Sequence, residues 1–193
     1  MLRTRLCELL GIEVPVLGAP MGPEISGLEL AAAVSNAGGV GMISFGGYPP
    51  QALKERIRKL RSLTSRPFGV NILLQGPQLP VAEAAFVEAC IEERVPVMSF
   101  FWGDPTPYVE KAHKAGITVC DQVGSVSAAK RAKSAGVDFI IAQGVEAGGH
   151  VAGTVSTMVL LPTRGRHRRP DPRSSCRWHR GWPRPGSCLG ARC

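Results

Sequence analysis

The sequence lacks any run close to the roughly 20 uncharged apolar residues needed to cross a bilayer. It also lacks the apolar core of a secretory leader: its first residues pass directly into a short amphipathic stretch. No membrane is therefore expected, and a reducing, cytoplasmic setting is the simplest reading. There, Cys7, Cys90 and Cys120, each in an apolar or helical context, would be core thiols. The chain is also short of length. Its 193 residues make one sizeable core, but a complete eight-stranded barrel needs about 250. Most of it lacks net charge as well. Residues 164–193 hold nine of the 23 Lys and Arg but one of the 15 Asp and Glu, so the whole +8 sits there and residues 1–163 are balanced. The charge therefore says nothing of a nucleic-acid surface on the body.

What is present is alternation. Short apolar runs rich in Val, Ile and Phe occupy 14–19, 40–45, 67–74, 95–102, 117–123 and 139–143. They are continuous rather than alternating, as in parallel strands covered on both faces. Between them, 28–37, 50–63, 81–93, 107–115 and 127–135 carry helical spacing, and Gly follows several of them as a closing residue. The order βαβαβαβαβαβ predicts a parallel sheet with crossover helices. Periodicity alone leaves a doubly wound sheet and a barrel both open.

Both architectures bind ligands at the C-terminal ends of the strands, and three segments fall there. Gly18-Ala19-Pro20-Met21-Gly22 follows the first run, a small-residue loop that is either a ligand floor or an ordinary turn. Asn71 sits inside the third run, where a buried amide must find partners in a neighbouring loop or a ligand. Gln143 to His150, with Gly148 and Gly149, follows the sixth run. Glycines there allow close backbone approach, and a rim histidine suits proton exchange near neutral pH. Glu146 reads as a loop brace, His113 as a surface residue, and Gln122 as an amide at the end of the fifth run.

Taken together, "LCELLGIEVPVLGAPMG", "LAAAVSNAGGVGMIS", "SRPFGVNILL" and "DFIIAQGVEAGGHVAGTVSTMVLLP" resemble the nitronate monooxygenase (2-nitropropane dioxygenase-like) family, in order, over residues 6–163. The resemblance implies a TIM-type (β/α)₈ barrel, here incomplete with about six βα units. It implies non-covalent FMN, an alkyl nitronate (or nitroalkane) as substrate and O₂ as oxidant, with no metal and a homodimer left open. Carried over by residue, Ala19, Pro20 and Met21 match the loop under the flavin. Asn71 and Gln122 match polar contacts to it, and Gln143, Gly148 and Gly149 match the flavin loop. His150 matches the active-site histidine, base or substrate orienter. The flavin-dependent enoyl-ACP reductases share this fold and much of the AGGH loop, and are the alternative.

Residues 164–193 depart from the pattern. They have no hydrophobic period and are rich in Arg, Pro, Cys and Trp. The codon pairs for Trp178-His179 and Trp182-Pro183 each force glycine in the adjacent frame. That frame can encode an apolar strand and the Ala-Ala-Gly-Gly-Ile loop that holds the FMN phosphate in the resembled family. The expectation is an out-of-frame tail, a partial barrel at 1–163, and a chain that folds poorly and binds FMN weakly or not at all. On that reading the product is a non-functional gene fragment. Rival readings are an Arg-rich nucleic-acid arm and a zinc site from Cys176, His179, Cys188 and Cys193, whose spacing fits no common tetrahedral pattern.

Overall fold

A strand that is apolar on both faces must be covered on both, and this decides how the chain folds. The computed structural model describes residues 3–22, 25–45, 48–74, 83–165. Its elements run α1 (Arg5–Leu10), α2 (Leu28–Asn36), β1 (Gly41–Ser44), α3 (Pro50–Leu63), β2 (Phe68–Leu73), α4 (Glu83–Glu92), β3 (Val97–Phe101), α5 (Thr106–Lys114), β4 (Thr118–Val123), α6 (Val126–Ala135), β5 (Phe139–Ala142) and α7 (Thr157–Gly165). The tail from residue 166, with the zinc, nucleic-acid and frame readings made for it, lies outside the described residues.

Local signals account for the element ends. Pro50 opens α3, where its missing N–H costs nothing. Ser125 caps α6, its side chain accepting from the Ala128 N–H, and Gly136 closes that helix at φ +89°.

The five strands pair in parallel in the order β1-β2-β3-β4-β5. Strict sequential order has no reversal and hence no switch point, so the sheet is an arc of a barrel and not a doubly wound sheet. The expected first strand at 14–19 is reduced to one parallel bridge, Leu17 to Val40. Its hydrogen bonds to Val40 run from Gly18 N (2.8 Å) and to Val16 O (2.9 Å). Pro15 and Pro20 lack the N–H groups that would lengthen the ladder.

The outward face packs on the helices. Ile43, Val70, Met98 and Val119 bury against Leu53, Ile57 and Leu60 of α3 and Phe86 of α4 within one cluster. Each of the three α3 residues is fully buried, a contribution of about 1.5–3 kcal/mol apiece. Gly41 is required here, because a Cβ would lie 1.8 Å from the Ala31 carbonyl oxygen of α2. The inward face is closed at one end by α1, whose Cys7 and Leu10 pack with Val40, Met42, Val97 and Cys120. That plug leaves the opposite, C-terminal end of the inward face for polar residues.

Candidate functional site

Side chains alternate along a strand, so register places the polar ones. Ser44 pairs with Asn71, and Asn71 with Ser99. These residues share the inward face with Met42 and Val97, two positions earlier on their strands. Asn71 is buried. One row nearer the C-terminal rim, Phe101 pairs with Gln122 and Gln122 with Ile141; Gln122 is half-buried. Two amides and two hydroxyls thus face the inside of the arc above its apolar plug.

The loop at 18–22 is braced by Ser26, a residue the sequence reading passed over. Its buried hydroxyl donates to the Ala19 carbonyl (2.8 Å) and accepts from the Met21 N–H (2.9 Å). Ala19 and Met21 are exposed and Pro20 half-buried beside this brace.

The Gly-rich loop after β5 is held by its own side chains. Gln143 donates from Nε2 to the His150 carbonyl (2.8 Å) and accepts at Oε1 from the Ala152 N–H (3.1 Å). Both ends of this amide shape the loop, so Gln143 sets where His150 stands. Glu146 accepts from the Thr157 N–H (2.8 Å) at the start of α7, which is a brace. Hydrogen bonds from its own backbone N–H and from the backbone and side chain of Thr157 hold its carboxyl below the usual range. Gly149 has φ +74°, and a Cβ on it or on Gly148 would meet nothing within 4 Å. Here glycine leaves open, approachable backbone. His150 is exposed, with its ring 5.0 Å from that of Trp102. His113, exposed as expected, pairs with Asp138 at 3.0 Å.

Sequence reasoning also missed Trp102 and Asp121. Trp102 has φ +61°, rare for a bulky side chain; the only signal was a Trp-Gly pair closing an apolar run. Asp121 lines a cavity of about 230 Å³ with Trp102, Gly103, Gln122, Ser125 and Arg131. Burial pushes its carboxyl up to about 7, against the opposing pull of Arg131. Among the described residues no cluster of metal-ligating side chains occurs, and no helix is long and apolar enough to cross a membrane.

The donor set fits a flat, polar-edged heterocycle. Inward amides at Asn71 and Gln122 can meet ring oxygens and nitrogens, and the bare backbone at Gly148 and Gly149 admits close approach. The loop implied for a phosphate lies outside the described residues.

The family model for nitronate monooxygenase matches residues 3–166. A (3aS,4S,5R,7aS)-5-hydroxy-7a-methyl-1-oxo-octahydro-1H-indene-4-carboxyl-CoA dehydrogenase of Rhodococcus jostii is 37% identical over 162 residues, covering 84% of this chain and 44% of that protein. A nitronate monooxygenase of Paraburkholderia phytofirmans is 31% identical, covering 75% of the chain and 49% of the relative. Among solved structures, FabK from Thermotoga maritima superposes with a TM-score of 0.78 at 42% identity, covering 86% of this chain and 51% of that one. A nitroalkane oxidase from Streptomyces ansochromogenes gives 0.76 at 28%, covering 86% and 59%. The chain spans about half the length of the curated relatives it matches. Members of the matched family are generally TIM-barrel flavoprotein oxidoreductases. With its parallel β/α arc, its rim of inward amides and a family match over most of its length, this chain belongs to the nitronate monooxygenase family.

Proposed function

We propose that this chain supplies the His150-bearing part of an FMN-dependent nitronate monooxygenase, with an alkyl nitronate as organic substrate and O₂ as oxidant. The observation that carries the reading is His150 at the open rim of a Gly-rich loop, its backbone fixed by Gln143, above inward-facing Asn71 and Gln122. FMN bound there supplies the electron acceptor, chemistry no side chain of the site can offer. Asn71 and Gln122 would hold the polar edge of its ring system. Ala19, Pro20 and Met21 would form the floor, kept in shape by Ser26, and Gly148 and Gly149 would let backbone come close.

The imidazole of His150 handles the substrate. For a nitronate, which already lacks the α-proton, a ring N–H donates to a nitronate oxygen and orients the carbon. For a nitroalkane, the neutral ring takes the α-carbon proton. No nucleic acid, membrane or metal enters the reading, and a homodimer is compatible with it.

The test is turnover of an alkyl nitronate with O₂ by the FMN-reconstituted chain. Replacing His150→Gln is expected to lower kcat/KM about a hundredfold or more while the circular dichroism spectrum is unchanged. Equal turnover by the folded variant sinks the proposal. A second reading, flavin-dependent reduction of an enoyl thioester, draws support from FabK at 42% identity and from the thioester in the name of the carboxyl-CoA dehydrogenase, 37% identical against 31% for the nitronate monooxygenase. Consumption of a reduced nicotinamide on adding an enoyl thioester, without nitronate turnover, selects it.

A further inference from the structure

The left-handed turn that ends β3 carries a residue whose conformation is explained by what its ring touches. Gly103 has φ +60°, and a Cβ there would lie 2.3 Å from the Leu74 carbonyl oxygen. The close passage of the chain beside Leu74 therefore demands glycine at 103. Trp102, one residue earlier, takes φ +61° as well, and there a bulky side chain works against its own backbone preference. Glycine would sit at 102 without strain. The indole is present in spite of the backbone, so its ring is the feature to explain.

Among the described residues, that ring meets two other rings. It stacks on Phe101, with centroids 4.6 Å apart and planes 21° from parallel, and Phe101 is buried at the top of the inward face. It also meets the His150 ring at 5.0 Å and 51°, within the range of favourable aromatic pairs. The His150 imidazole makes no hydrogen bond to a described residue, and the Gln143 contact reaches only its backbone. An exposed imidazole so placed has free rotamers unless something packs on it.

We infer that Trp102 is a positioning residue: anchored on Phe101, its indole fixes the ring of His150 at the rim. This deepens the proposed function, in which His150 orients the substrate, and rests on it for its catalytic consequence. It does not act on substrate directly. Loss of the ring costs orientation of the imidazole, and misplacement of a reacting group is read mainly in kcat.

Two substitutions separate ring from bulk. Trp102→Phe keeps an aromatic face, and Trp102→Leu keeps apolar volume without one. The imidazole carbon-bound proton resonances of His150 are followed by NMR in the chain without added flavin. They are assigned by their loss in His150→Gln, with His113, on α5, as internal control. The expected result is that W102L moves the His150 resonances towards those of a free histidine, W102F leaves most of the shift in place, and His113 does not move. With FMN and nitronate, W102L is expected to lower kcat about tenfold with KM within about twofold, and W102F to recover most of it. Unchanged His150 resonances in W102L overturn the inference. So does a shift in W102L with kcat unchanged in a chain that turns over nitronate. If the wild-type chain turns over no nitronate, the proposed function fails, and the resonance comparison still decides whether Trp102 holds His150.

Discussion

The Asp121 carboxyl lies on the helix-facing side of β4, beside the cavity and only 5% exposed. Burial is the main cause that lifts it to about 7, Arg131 lowers it and Asp104 raises it again. In the unfolded chain the same group titrates near 3.9. The folded state therefore binds the proton more tightly. That stabilisation is complete below about pH 4 and is lost as pH rises through about 7. Asp121→Asn removes the titration, so the urea midpoint of the variant is expected to vary less than wild type between pH 5 and 8 and to exceed it at pH 8. Parallel curves for the two proteins would contradict the assignment. The residue was illegible in sequence because Thr118–Val123 places Asp121 and Gln122 side by side, on opposite faces, and the sequence does not say which of the two turns to the helices. Cys90 and Cys120 were legible: both are buried, and burial pushes both thiols up, Cys120 to about 12. They are core thiols without thiolate character at neutral pH.

At the scale of elements, the Gly-rich loop and α7 are one unit. Glu146 joins them through the Thr157 N–H, a donor that the first turn of a helix leaves without an intrahelical partner. Its carboxyl is depressed by those bonds, so the stabilisation is present above the ordinary glutamate range and is lost as pH falls through the folded value. Glu146→Ala is expected to speed amide exchange over Thr157–Leu160 at neutral pH while leaving α3 unaffected. Equal protection in the two proteins would refute the brace. Gln143 works alongside it, and its neighbour Gly144 could carry no Cβ, which would lie 2.3 Å from Thr157 N. Most elements were legible because local rules govern them: apolar runs for strands, helical spacing for helices, Gly136 as a closing residue. The first strand was over-read, since its apolar run says nothing of the ladder that Pro15 interrupts. The left-handed Trp102-Gly103 turn and the Ser26 brace were missed because long-range packing and a folded loop create them.

The whole molecule is an arc with two free sides among the described residues. Val16, at the 14–19 edge, is 55% exposed, and Met158, Val159 and Leu161 of α7 are 79%, 58% and 48% exposed. β3, in the middle, is buried throughout, while every residue of β5 is only half-buried. Such surfaces expect further strands and helices on either side, in keeping with a chain spanning about half of its relatives' length. The barrel family and His150 at the rim were legible in the "AQGVEAGGH" segment and its neighbours. The roles of Ala19, Pro20, Met21, Asn71 and Gln122 stand on register and resemblance. If those residues hold the ring of a flavin, the described residues, which do not include the loop that the resemblance assigns to the phosphate, offer affinity for the ring alone. The most direct measurement is a titration of the chain with FMN and with riboflavin, followed by quenching of flavin fluorescence. The account predicts saturable, weak binding, within about threefold for the two flavins, and weakened about tenfold by Asn71→Ala combined with Gln122→Ala. No saturable quenching, or quenching indifferent to both substitutions, would contradict it.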